Sequence, residues 1–316
     1  MMCNPPDLCF AYENTSILVL THRRTKHLTK VLQGLKDASG VENGKVIFSC
    51  DRPSNEVLQI CENFNHPNQS IIVHEDTPQS SAQAINRSLF RGLQYAFTIN
   101  ESSLVVVVED DILLSRDFLS FTLHAFRRYA STNGFRGVNL FSRSQSDLQL
   151  GNAYVLGNYG LGWGWAINSK TFKEFQKFWH GDEDNHWDFI VEPYCRTGFV
   201  INPFFSRVQN IGMDETATHS IGANAKIEAS EMYASSQFLA IENQPYKLTD
   251  EVFTWNSDYY QKRKVRLVSW NLILLVTRLT FFLYGDKTGN TRLSIYMYAR
   301  LKRMYQFFGK LTGEVV

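Results

Sequence analysis

Three consecutive carboxylates, Glu109, Asp110 and Asp111, follow an apolar run at 104–108 that contains four valines. Adjacent carboxylates at a strand end repel one another and raise each other's pKa unless a cation is shared among them. A hard divalent ion, Mn²⁺ or Mg²⁺, suits such a group, because it takes oxygen ligands and is commonly held by one or two protein carboxylates plus substrate phosphates. The plainer alternative is that the acids merely end a strand and cap the next helix. Ser115 and Asp117 lie nearer that helix and are better placed to cap it. The usual phosphate loops are missing: the chain has neither G-x-x-x-x-G-K-[ST] nor G-x-G-x-x-G between its first strand and helix. "GLGWGW" at 160–165 has spaced glycines, but it lies far downstream among tryptophans, where a tight turn with buried aromatics accounts for it equally well. ATP on a P-loop and NAD on a Rossmann loop are thereby disfavoured, leaving a diphosphate held mainly by metal.

The elements that must position these acids follow from the pattern of apolar runs. Strands are expected at 16–21, 45–50, 70–75 and 104–109, with helical periodicity between them; in 82–96, Ala82, Ile85, Leu89, Leu93 and Ala96 recur at spacings of three and four, with Ser81 as the N-cap. Such alternation predicts a βαβ series with a largely parallel sheet covered on both faces. A helix at 117–129, a strand at 137–142, a helix at 169–179 and another at 187–196 build a second half onto the first. Beyond about 226 the β pattern fades, so the chain divides into a catalytic domain at 1–225 and a helical extension at 226–316.

Composition bounds the partners. The 316 residues are 44% hydrophobic, enough to bury a substantial core, and a formal net charge of +1 offers no general attraction to nucleic acid or membranes. Five cysteines without a C-x-x-C pair argue against a disulfide framework or a zinc cluster. The first sixteen residues hold prolines and acids but no apolar leader, so the default expectation is cytoplasmic, and the sequons at Asn14 and Asn68 carry no weight.

Several ordered motifs between about 16 and 220 resemble the N-acetylglucosaminyltransferase I family, which is metal-dependent and inverting. "SILVLTHRR" resembles the family's first strand and the arginine after it, implying Ile17 and Arg24 at the uridine diphosphate. "IFSCD" resembles the second strand, whose terminal acid, here Asp51, faces the uracil. "VVVVEDDILLSRDF" is close to the acidic motif, implying that Asp111 contacts manganese while Glu109 and Asp110 lie near the donor sugar and ribose. "YGLGWGWAI" matches the Gly-Leu-Gly-Trp segment, and "HWDFIVE" resembles the segment that carries the catalytic base, here Asp188. "INPFFSRVQNIGMDETATHS" resembles the closing region, with Ser206, Arg207 and Gly212 leading to a loop near the donor phosphates. The chain departs from the family at His22 and Arg23, and its tail has no counterpart.

The resemblance implies a GT-A fold, a UDP-sugar donor with N-acetylglucosamine as the first choice, and a glycan or lipid-linked acceptor. Glu192, four residues beyond Asp188, shares its helix face and is the fallback base. His219 is a further candidate metal ligand, since many GT-A enzymes use a late histidine. The run at 181–186 reads as a solvated loop, and Trp163, Trp165 and Trp187 suit a sugar face or a core equally. Arg278 interrupts the apolar tail at a cost of about 2.5 to 3.5 kcal/mol for membrane insertion. With basic residues on either side, from Lys262 to Arg266 and from Arg300 to Arg303, the tail suits an interfacial helix at the inner face of a membrane or one packed on the domain. A non-catalytic nucleotide-sugar binder and a metal-dependent nucleotidyltransferase are the competing classes.

Overall fold

A computed structural model of the chain describes residues 10–142, 152–157, 161–184, 186–212 and 245–248. Its first half is the expected βαβ series. Strands β1 (Thr15–Thr21), β2 (Lys45–Asp51), β3 (Gln69–His74) and β4 (Leu104–Glu109) pair in parallel in the spatial order 3-2-1-4. Helices α1 (Thr25–Asp37), α2 (Asn55–Glu62) and α3 (Ser81–Thr98) make the crossovers. Every residue of β1 is buried, because the pleat sends successive side chains to opposite covered faces. Ile17 and Val19 join Leu28, Leu32 and Leu35 of α1 in one core, while Leu18 and Leu20 join Leu89 and Leu93 of α3 in the other. Gly92 permits the closeness of α3, since a Cβ there would stand 2.6 Å from Leu18 Cδ1.

The second half comprises β5 (Ile112–Leu114), α4 (Phe118–Tyr129), β6 (Phe135–Asn139), β7 (Ala153–Gly157), β8 (Trp165–Asn168), α5 (Ser169–Phe175), α6 (Trp187–Cys195), β9 (Phe199–Pro203), β10 (Val208–Asn210) and β11 (Lys247–Leu248). Among the described residues the central sheet has nine strands in the order β11-β7-β9-β6-β8-β4-β1-β2-β3, mostly parallel, with β8 antiparallel to both β4 and β6 and β7 antiparallel to β9. The α/β class and the mostly parallel sheet agree with the sequence. β5 and β10 form a separate antiparallel ribbon.

Local details differ from the sequence reading. Ser80, not Ser81, caps α3: its backbone is extended and its hydroxyl accepts from Gln83 N at 3.1 Å. The helix expected at 169–179 ends at Phe175, and Trp179 turns in to pack edge-on to Phe90, at a centroid distance of 5.2 Å. Cys50, Cys61 and Cys195 are buried free thiols. Residues 245–248, in the stretch assigned to the extension, lie against the sheet, where β11 pairs with β7. The tail from 249 onward, and with it the interfacial helix, lies outside the described residues; among those described, no helix is long and apolar enough to cross a membrane.

Asp117 stands at the N-cap of α4 but makes no capping bond. It serves Arg207 instead. The Arg207 side chain is 0% exposed; Nε donates to Asp117 Oδ2 at 2.9 Å, Nη1 to Phe205 O at 2.7 Å and Nη2 to Asn152 Oδ1 at 2.7 Å. Ser115 Oγ and Tyr246 Oη donate to the same carboxylate at 2.7 and 3.1 Å, and the Phe121 ring lies 5.2 Å from the guanidinium. A buried ion pair tolerates its desolvation only when hydrogen bonds surround it in this way. Arg207, which leads into the segment expected near donor phosphates, has no exposed surface itself and ties the β9–β10 turn to the start of α4. Removing one partner strands the other charge, so Arg207→Ala should lose about 3–5 kcal/mol of stability in urea unfolding, with Asp117→Ala similar and the double variant far from additive.

Candidate functional site

β1, β2 and β4 run in parallel and end on one edge of the sheet, where ligands of open α/β proteins bind. The register sets Leu20 beside Glu109 and Thr21 beside Cys50. The segments that follow are consequently neighbours: His22–Arg24, Asp51–Arg52 and Glu109–Asp111.

Asp110, 8% exposed, accepts the His22 backbone N–H at 3.2 Å and the Thr21 hydroxyl at 3.5 Å on Oδ2. Asp111, 9% exposed, receives Arg24 Nη1 on Oδ2 at 2.5 Å, while its Oδ1 is buried with no hydrogen-bond partner. Asp51 pairs with Arg52 at 3.1 Å and lies 3.3 Å from His22 Nδ1. Burial comes first among the forces on the acids. It lifts Glu109 to about 7, helped by the Asp111 charge, and Asp110 to about 6, helped by the same neighbour. Asp111 is raised by burial against the opposing pull of Arg24 and His27.

The β5–β10 ribbon brings a further segment to this cluster. Ile211 N donates to Asp111 O at 2.9 Å, and Gly212 follows so closely that a Cβ would stand 1.9 Å from Asp111 Oδ2 and 2.5 Å from Arg24 Nη1. A side chain there would have to displace the Asp111–Arg24 pair. Ser206, expected beside Gly212, is instead buried, accepting Ser142 N at 3.3 Å and donating to Val208 O.

Asp188 lies in the first turn of α6, half-buried, with His186 Nδ1 2.9 Å from its Oδ1. The charge of His186 lowers the pKa of Glu109, which puts the start of α6 within electrostatic reach of the acidic cluster. Trp187 and Trp165 are core residues in contact at 5.0 Å, and Trp163 packs on Phe141. Glu192, the fallback base, is buried and accepts Arg196 Nε at 2.8 Å. Ile17 is likewise set apart, wholly buried in the middle of β1 rather than at its end. His219 lies outside the described residues.

Two site residues were not identified from the sequence. His22 stood out only as a departure from the family pattern, and His186 closes the polar run read as a solvated loop. That reading holds for part of the run, where Glu183 accepts the backbone of His180 and Gly181 and Asp182 pairs with Arg87. It fails at the last residue, which abuts the helix.

The donor set suits a hard cation. Asp111 presents an unpartnered carboxylate oxygen amid surplus negative charge, although no three His, Cys, Asp or Glu side chains among the described residues converge to hold an ion unaided. An ion at Asp111 would draw its remaining ligands from elsewhere, as Mg²⁺ and Mn²⁺ do from substrate oxygens.

No family model matches the chain, and no curated protein does. Among solved structures it is similar to S. aureus TarS 1–349, with 13% identity, 92% of this chain and 91% of that one covered, and a TM-score of 0.48. It is also similar to the mannosyltransferase PcManGT from Pyrobaculum calidifontis in complex with GDP-Man and Mn²⁺ (12% identity, 94% and 88% covered, TM-score 0.44). A cytidylyltransferase from Leptospira borgpetersenii is a further neighbour, with 11% identity, 74% and 99% covered, and a TM-score of 0.40. These are weak likenesses of chain path.

The acids give a pH dependence whose sign is fixed. Groups raised in the folded state stabilise it fully below their unfolded pKa values, near 4, and lose that contribution as pH rises through the folded values, about 6 for Asp110 and about 7 for Glu109. Metal-free protein should therefore lose stability from pH 5 to pH 8 more steeply than Asp110→Asn, by about 1–2 kcal/mol between the two at pH 8, and saturating Mn²⁺ should close that gap. Thermal unfolding across pH, with and without Mn²⁺, measures it; identical slopes in the two proteins would rule out the cluster as the source.

Proposed function

We propose that the chain is an inverting glycosyltransferase that moves a sugar from a UDP-sugar, with N-acetylglucosamine the first choice, to a hydroxyl of a glycan or lipid-linked acceptor. The observation that carries this reading is the buried carboxylate cluster at the carboxyl edge of the sheet, with an unpartnered Asp111 oxygen beside Arg24 and with Asp188 at the start of α6. Asp111 would hold Mn²⁺ or Mg²⁺, with His219 as a further ligand. When bound, the ion supplies positive charge against the diphosphate that leaves.

The chain's own groups divide the remaining work. Arg24 is a cation already at the cluster, suited to bind phosphate oxygens. Asp51, with His22 and Arg52, forms a polar rim at the end of β2 suited to the uracil, which offers both donors and acceptors. Glu109 and Asp110 would accept hydroxyls of the sugar and ribose. Asp188 takes the proton of the acceptor hydroxyl as that oxygen attacks the face opposite the diphosphate. The tail with its basic and apolar residues would rest on the inner face of a membrane and bring lipid-linked acceptors near.

The test is UDP release from a panel of UDP-sugars with Mn²⁺, with water standing in for the acceptor. Asp111→Ala should abolish metal-dependent release, and Asp188→Asn should keep donor binding while turnover falls about 10²–10⁴-fold. Pyrophosphate or nucleoside monophosphate as product would move the protein to the nucleotidyltransferases, tight donor binding without turnover would make it a binder, and no binding of any UDP-sugar would sink the donor assignment.

A further inference from the structure

His186 occupies the N-cap position of α6, with φ −58° and ψ 142°, yet makes no capping bond to its own helix. Its imidazole turns to Asp188 instead, with Nδ1 2.9 Å from Oδ1. An ionised carboxylate can only accept, so the Nδ1 position carries the proton and the tautomer is set by this bond. Trp187, between the two, is fixed in the core against Trp165, so the backbone bearing both side chains is held.

We propose that His186 is a positioning residue for Asp188: the Nδ1–Oδ1 hydrogen bond holds that carboxylate in the one orientation from which it receives the acceptor proton. This role rests on the transferase reading above. It concerns turnover first, because its hydrogen bond is to Asp188, while Asp51, Arg24 and Asp111 lie on other elements, β2, the start of α1 and the turn after β4. A misplacement of about 1 Å in a reacting group costs up to about 10²-fold in rate.

Asparagine places an N–H donor where Nδ1 stands, whereas glutamine places its amide near Nε2 and alanine has none. Donor hydrolysis with Mn²⁺ is measured on UDP-N-acetylglucosamine, UDP-glucose and UDP-galactose for His186→Ala, His186→Gln and His186→Asn. For the donor that the wild type turns over, alanine and glutamine should lower kcat about 10–100-fold with KM unchanged, and asparagine should recover most of the loss. In an Asp188→Asn background, His186→Ala should add nothing further. Equal losses in all three variants, additive losses in the double variant, or a rise in KM at intact kcat would overturn the role of His186 while leaving the transferase standing. A wild type that turns over none of the donors would overturn both.

Discussion

Uncompensated negative charge at the end of β4 is the constraint from which the site takes its form. Glu109, Asp110 and Asp111 are carried there by a strand whose first five residues are buried, so the acids cannot retreat into solvent without breaking the sheet. Burial pushes all three carboxyls toward protonation, and the Asp111 charge adds to it at Glu109 and Asp110. The surroundings offset this only in part: the His22 N–H meets Asp110, and Arg24 meets one oxygen of Asp111. A folded protein seldom keeps such an imbalance where it has no use, since strongly perturbed carboxyls concentrate at functional sites.

Holding this charge requires rigid support. The β5–β10 ribbon supplies it, with Gly212 pressed against Asp111 and Arg24. Its position depends on Arg207, whose guanidinium is spent wholly on Asp117, Asn152 and Phe205 O. The same segment thus contains a cation with a structural task and, five residues later, a glycine on the site itself. At α6, the packing of Trp187 on Trp165 anchors the first turn, where His186 Nδ1 lies 2.9 Å from Asp188 Oδ1.

Much of this was legible beforehand. Apolar runs rich in Val, Ile and Leu separated by amphipathic helices leave few alternatives to a parallel sheet, and all four leading strands fall within a residue or two of their expected places. The three acids could be placed at a strand end from the apolar run before them, whereas Arg24 and Asp51 joined them only through the family resemblance. What could not be read has a common cause. Arg207, Asp117 and Glu192 are charged residues, and a sequence does not reveal which charge has a buried partner ninety positions away, as Asp117 does. Ser80 and Ser81 are both good caps; the extended backbone at Ser80 decided between them.

By itself the sequence determined the α/β class, the edge of the sheet where chemistry can occur, and the surplus of carboxylates there, because periodicity and strand ends are local properties. Tertiary structure alone decided which charges were free to act. It withdrew Arg207 and Glu192 into ion pairs, buried Ile17 in the core, and brought His186 onto Asp188. Such outcomes depend on burial and on partners distant in the chain, and Coulomb energy and desolvation take their size from position in space, not from order along the sequence.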